Sequence, residues 1–598
     1  MKRGDISNWS NISECQNLLF FAQLVVELLF DYSIPSNRIS TLNSHYLCRD
    51  AMSTIKSIDE NGVPEGTLKP IMAELHRSLS ADITFKSRGI NPLKYFVKLQ
   101  TNGTYCIIQR TDDLSFEDSH RIVLALYQKY FKNKWYSESL VDDIREFVIN
   151  NKVEDQLALF RQTKAWLTEL INGGYSAKYI YSTAIRYFYP HKDKIDNPNH
   201  IDEFLKQFDY KKSKYKIVLI ASKEQQRFLR TVDKMELLDS LKPSGKTCSE
   251  SNFLNKRSHE KFVLLEIEEY DPFSAVEHAK RILSDNVSIY RMYDHNYNFD
   301  LSSLKCGVYD DLGAFYRVNE DVSAVQRAKT PAKKNIEEKT AAVTRALYTS
   351  IKQRNISGFA TLMNAINAHS LSLDSNSEQN QLLDLWSIFE TVLDISNKHI
   401  SDRIQQVCVY VLPVLKHKYI FSLFHQLAND LRNYSEEVYM SMAKDSKNEF
   451  DTVKRLCEFV LLDSKENERT LFLEGCMDFP LLKERIEYYH TQLATPNKIY
   501  NFVEKHSERV KWQVMRIYRN RNLIIHNGET SPYLKLLVEN LHSYVDDFLD
   551  YVINMMSKGC SLPAMCQELF VKECEWKEKF QPSKAVLTVE LVDEMLRL

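Results

Sequence analysis

Glycine and proline are scarce in this 598-residue chain, at 14 and 15 residues, both below ordinary usage. That scarcity argues against long loops and predicts a largely helical protein. Paired cysteines are also missing: the eleven cysteines are an odd number and no two are spaced Cys-x-x-Cys, so neither a disulfide framework nor a zinc ribbon is expected. Cys560, Cys566 and Cys574 cluster near the C-terminus with no histidine among or after them and read as reduced thiols. No Gly-rich loop of the G-x-x-x-x-G-K type occurs, which removes the usual basis for nucleotide hydrolysis. Charge of one sign is lacking too, with 78 Lys and Arg against 80 Asp and Glu, so the chain as a whole carries no polyanion-binding signature. The strongest apolar run, residues 18–30, is broken by Gln23 and Glu27 and is shorter than the roughly 20 residues of a membrane span. A buried core helix is the expectation there. The N-terminus lacks a short apolar region followed by a small-residue cleavage site, and a cytoplasmic protein without membrane attachment is expected.

What is present is an ordinary globular composition, 44% hydrophobic and 26% charged, in a chain too long for one core. The expected fold is mainly α and multi-domain. Residues 1–210 read as mostly helical, with a hairpin over 95–109 around Asn102-Gly103. Residues 211–320 change character. The strand-like runs 215–220 and 262–267, with a helix over 272–284, suggest a small α/β module that could sense a trigger or regulate. The polar stretch 321–340 reads as a linker, 341–558 as a helical bundle, and 559–598 as a charged tail ending in a helix.

Within the bundle, one segment carries chemistry. Val510, Val514, Ile517 and Ile524 recur at the helical period, and Arg521 occupies the next place on that apolar stripe. A guanidinium stays charged, and burying it alone costs several kcal/mol, so it needs an anionic partner, a subunit interface or a ligand. Asn522 follows it, His526 comes five residues later, and Asn527-Gly528 makes a left-handed helix stop. Arg followed closely by His also occurs at Arg38 and His45, Arg186 and His191, and Arg485 and His490, so the spacing alone is weak. A helix turns through about 500° in five residues and about 700° in seven, which leaves either Arg519 or Arg521 as a partner for His526.

The string Arg521-Asn522-Leu523-Ile524-Ile525-His526 resembles the Arg-Asn-x-x-x-His signature of the HEPN superfamily of ribonuclease domains. Residues 377–393, with Leu385-Trp386 and Glu390, are similar to the early helix of Apea-like HEPN domains, and residues 536–545 to their closing helix. The resemblance covers little more than a third of the chain. It implies a C-terminal HEPN bundle over 341–558 and a metal-independent endoribonuclease with no cofactor. It further implies a homodimer whose cleft holds both copies of the motif, which would explain an Arg on an apolar stripe. Arg521 and His526 would be catalytic, with Asn522, Glu390 and Arg519 in support. RNA brings its own nucleophile, the 2′-hydroxyl, so a proton relay of the right pKa and a cation for the phosphate suffice in outline. The implied products are 2′,3′-cyclic phosphate and 5′-hydroxyl ends, with tRNA among the candidate substrates. Fusion to a large N-terminal region resembles prokaryotic antiphage defence proteins that cause abortive infection, with a phage-derived trigger. A toxin neutralised by nucleotide addition to a Tyr two positions after the His is disfavoured, because that position is Gly528. The alternative is a non-catalytic RNA-binding or scaffold protein.

Between 498 and 526, seven cations, namely Lys498, Lys505, Arg509, Lys511, Arg516, Arg519 and Arg521, face only Glu504 and Glu508. Tyr500, Phe502, Trp512 and Tyr518 lie among them. Lys505, Arg509, Lys511 and Arg516 are the candidate RNA-binding cations, and the aromatics candidates for base stacking.

Overall fold

The apolar run near the N-terminus folds as helix Gln16–Leu29, in which every residue after Gln16 is buried. Both polar breaks in the run have partners. Gln23 Nε2 donates to the Asp478 carbonyl at 3.1 Å, and Glu27 lies 3.6 Å from the buried Arg485 guanidinium. The computed structural model describes residues 5–29, 42–99, 105–108, 110–189, 194–232, 235–241, 248–295, 297, 305–318, 336–354, 358–375, 377–393, 403–444, 446–582 and 585–597. They form two compact units, one of Met1–Thr168, Lys192–Ile201 and Ser323–Leu598, the other of Glu169–His191 and Asp202–Val322.

The second unit is the α/β module. Its five strands are β3 (Ser213–Ala221), β4 (Glu236–Leu238), β5 (Lys261–Glu269), β6 (Lys305–Tyr309) and β7 (Phe315–Val318), counted after the short pair β1 (Val97–Leu99) and β2 (Tyr105–Ile107) of the first unit. They run antiparallel in the order β4-β5-β3-β6-β7. Central strand β3 is an apolar run because both faces are covered. Ile217 and Leu219 meet helix Pro272–Tyr293 on one face, while Val218 and Ile220 meet Phe253 and Phe262 on the other. Asp271 caps that helix, accepting from the backbone N–H of Phe273 and Ser274.

The first unit is helical around a shared core. Residues from Leu42 to Leu140 and from Leu347 to Leu569 belong to one apolar cluster. The sequence boundary at 210 therefore does not separate an N-terminal domain from the bundle, and the module begins at Glu169 rather than 211. Apolar periodicity marks which face of a helix is buried but not which distant helix covers it. The β1 and β2 strands pair antiparallel with Val97 opposite Ile107, as expected of the hairpin, while its Asn102-Gly103 turn lies outside the described residues. Most of the 321–340 linker also lies outside them, and helix Ile336–Arg354 follows. Residues 559–598 continue the fold as helices Leu562–Phe580 and Val589–Arg597, with Trp576 and Phe580 buried.

Among the described residues, one helix, Arg403–Tyr434, is long and apolar enough to cross a membrane, and 67% of its apolar window is buried inside the fold. It also buries Lys416 against Glu573 at 2.7 Å, as a core helix with an internal ion pair would. The ten cysteines whose side chains are described are all free.

Candidate active site

The motif lies at the end of a 32-residue helix, Pro496–Asn527. Thr495 caps its start through its side chain, and Gly528 ends it in the left-handed region at φ 68°, its N–H donating to the Ile524 carbonyl. Val510, Val514 and Ile517 are buried as the stripe predicts. Arg521 stands at the edge of that stripe, its side chain 24% exposed.

The partner Arg521 requires is supplied by the same chain. Its Nη2 lies 3.4 Å from Glu390 Oε1, and its Nη1 donates to Asn522 Oδ1 at 3.1 Å. Glu390 sits on helix Glu378–Leu393, where Trp386, one turn earlier, donates its indole N–H to the same carboxylate oxygen at 3.0 Å. The Trp-x-x-x-Glu spacing thus has a physical basis, since positions i and i+4 share a helix face. Trp386 is buried and packs against Tyr518, with ring centroids 5.4 Å apart. Two pairs of side chains, Tyr518 with Arg521 and Trp386 with Glu390, therefore dock the two helices. Arg403 reaches the other Glu390 oxygen at 3.6 Å.

His526 is exposed on the last turn of the motif helix, and Asn522 is half-buried. The helix is continuous from 521 to 526, so the two side chains leave it about 140° apart.

Arg519 and Arg516 serve elsewhere. Arg519 donates to Asp50 at 2.6 Å, and the Tyr533 hydroxyl donates to the same carboxylate at 2.7 Å. Arg516, 2% exposed, is bound by Glu74 and by Gln513. Burial pushes the Glu74 carboxyl up while the Arg516 charge pulls it down. Two guanidinium groups and two carboxylates form a buried, balanced cluster joining the motif helix to helices Ser44–Asn61 and Lys69–Ala81. Arg516 as an RNA contact is corrected accordingly: a buried, paired guanidinium has no face to offer a phosphate. Arg519 is likewise committed to Asp50, which leaves Arg521 as the arginine on the exposed side of the choice.

Lys505, Arg509 and Lys511 are exposed, as is Lys498. Glu504 pairs with Lys416, and Glu508 with Arg77. Of the seven cations along this helix, these four are the exposed ones. Two further cations, Lys164 and the Glu508-paired Arg77, lie near Arg509 from far away in the sequence. Burial and then the charge of Arg509 push Lys164 down to about 7, and the same two causes in the same order lower Arg77. Spacing offered no signal for this cluster, because Lys164 and Arg77 lie more than 340 residues before Arg509.

The aromatics are engaged within the fold. Tyr518 packs on Trp386, Phe502 stacks on Tyr419, Lys416 lies over Tyr500, and Arg77 lies over Trp512. The Arg485 and His490 pair is structural. Arg485 is bound to Asp430 at 2.7 Å, while His490 Nδ1 lies 2.9 Å from the Val460 carbonyl. Arg38 and His191 lie outside the described residues.

Comparison with family models, with curated proteins and with solved structures gave no match.

Proposed function

We propose that this chain is a metal-independent endoribonuclease of the HEPN type. Arg521, held by Glu390, binds the scissile phosphate, and His526 takes or relays the 2′-hydroxyl proton. The observation that supports this most is the pairing of a half-buried, carboxylate-oriented Arg521 with an exposed His526 at the free end of the same helix. His titrates near neutrality when unperturbed, and a guanidinium presents a planar fork to phosphate oxygens. Their angular offset favours a cleft built by two copies, in which Arg521 of one faces His526 of the other across a single phosphate. Lys505, Arg509 and Lys511 would guide the RNA backbone towards it. The reaction would leave a 2′,3′-cyclic phosphate and a 5′-hydroxyl. In this reading the protein acts in the cytoplasm as an antiphage effector, with tRNA a first substrate to test and the α/β unit the natural receiver of a phage-derived trigger.

The test uses the full chain and its His526→Ala and Arg521→Ala variants with total RNA and tRNA in EDTA, resolving fragments and end groups. Wild type alone should cut, leaving cyclic phosphate ends, with each variant at least about 100-fold slower. Equal cleavage by all three would defeat the site assignment. A second reading, a non-catalytic RNA-binding or scaffold protein, draws on the fact that Arg521 is already satisfied by Glu390. It would be favoured by RNA binding that survives both substitutions with no cleavage by wild type, at any dimer concentration.

A further inference from the structure

Away from Arg521 and His526, the helical unit brings together three side chains with the chemistry of metal ligands. His369 comes from helix Phe359–Asp374, and His542 and Asp546 from helix Leu534–Ser557, one turn apart on the same face. His369 Nε2 lies 3.0 Å from His542 Nε2 and 3.0 Å from Asp546 Oδ1, and the third side of the triangle, His542 Nε2 to Asp546 Oδ1, is 3.6 Å. The two imidazole planes lie 19° from parallel, with centroids 5.0 Å apart, so the rings meet through their Nε2 edges. His542 is 2% exposed, while His369 and Asp546 are partly open to solvent.

These distances suit a metal ion better than a chain of hydrogen bonds. Zinc binds histidine nitrogen and carboxylate oxygen at about 2.0–2.1 Å, which makes the edges of a tetrahedral ligand set about 3.3 Å long, inside the spread observed here. A point roughly 2.05 Å from all three atoms exists, about 0.8 Å out of their plane, close to where a tetrahedral ion sits relative to three of its ligands. A single proton on His369 Nε2, by contrast, would have to serve two acceptors at equal distance. Two imidazoles and one carboxylate also suit zinc rather than calcium or magnesium, which prefer oxygen.

We propose that His369, His542 and Asp546 form a three-ligand site for a divalent transition-metal ion, zinc by its ligand set, which fastens helix Phe359–Asp374 to helix Leu534–Ser557. The fourth position belongs to water, admitted on the side where His369 and Asp546 are open. The ion takes the lone pairs of two neutral imidazoles, and any proton held between His369 and its neighbours leaves to solvent as the metal enters. The site uses neither Arg521 nor His526, so it stands or falls apart from the nuclease reading.

The test is zinc titration of the full chain after chelator treatment and removal of the chelator, by calorimetry and by competition with a chromophoric chelator, with melting followed in parallel. Wild type should bind one zinc ion at this site and melt higher with it. His369→Ala should bind on the order of 100-fold or more weakly, since changing even the groups that only support a ligand costs 10- to 100-fold. Its melting temperature should no longer respond to zinc. Asp546→Asn keeps the side-chain shape and repeats the test should His369→Ala fail to fold. Cobalt in the wild-type site should give the visible bands of a four-coordinate ion, lost in both variants. Wild type that takes up no zinc, or variants that bind it as wild type does, would overturn the proposal.

Discussion

Single residues in this chain divide by where their counter-charges lie. Arg521 was legible because its anomaly is local: a guanidinium on an apolar stripe, with Asn and His at set distances after it. Arg516 and Arg519 looked equally available from sequence, yet Asp50 and Glu74, more than 400 residues earlier, hold both. Arg516→Met should therefore destabilise the fold by about 3–5 kcal/mol in urea unfolding, because it strands the Glu74 carboxylate. Arg516→Met combined with Glu74→Leu should recover part of that loss. His506 makes a different prediction. It stacks face to face on Tyr419, and burial, then the charge of Arg509, lowers its pKa from 6.5 to about 3. The unfolded chain then takes up a proton across that window while the folded chain does not. The stability is full above pH 6.5 and lost as pH falls towards 3, by up to roughly 1.4 kcal/mol per pH unit from this group. His506→Phe, which stacks without titrating, should flatten that slope, as unfolding measured at pH 7 and pH 4.5 would reveal.

At the scale of elements, periodicity was a good guide to helices and to β3 and β5, and a poor one to their neighbours. The Trp-x-x-x-Glu pattern of helix Glu378–Leu393 was visible in the sequence. Its reason, an indole N–H fixing the carboxylate that faces Arg521, needed the packing of two helices. Trp386→Phe keeps most of the apolar volume and removes that N–H. If Glu390 aims Arg521, cleavage should fall about tenfold with little change in melting, the size expected for one charge-assisted hydrogen bond. The helix stop makes a simpler forecast. A Cβ on Gly528 would meet nothing within 4 Å, so Gly528→Ala should cost only the left-handed backbone penalty, about 1 kcal/mol, seen as lower melting temperature.

The whole molecule is where sequence boundaries misled most. The bundle from 341 onward looked like a domain in its own right, but its core is continuous with Leu42 to Leu140, and its motif helix is clamped by Asp50 and Glu74. Expressed alone, residues 341–598 should fail to fold cooperatively, and calorimetry should show no sharp transition. The same packing means that deleting 1–320 tests stability before it tests regulation. At this scale only the character of each stretch was readable from the sequence. Pairing between stretches hundreds of residues apart leaves no local mark in a single sequence.

That discontinuous path also sets an order of events during synthesis. The chain leaves the helical unit at Thr168 and does not return for good until Ser323, and Arg516 and Arg519 are made last of all the members of the buried charge cluster. At about 5–20 residues per second, Asp50 and Glu74 wait tens of seconds on the ribosome for their partners. A nascent chain therefore carries no clamped motif helix before Arg519 has been made, and whatever the finished site does cannot begin earlier.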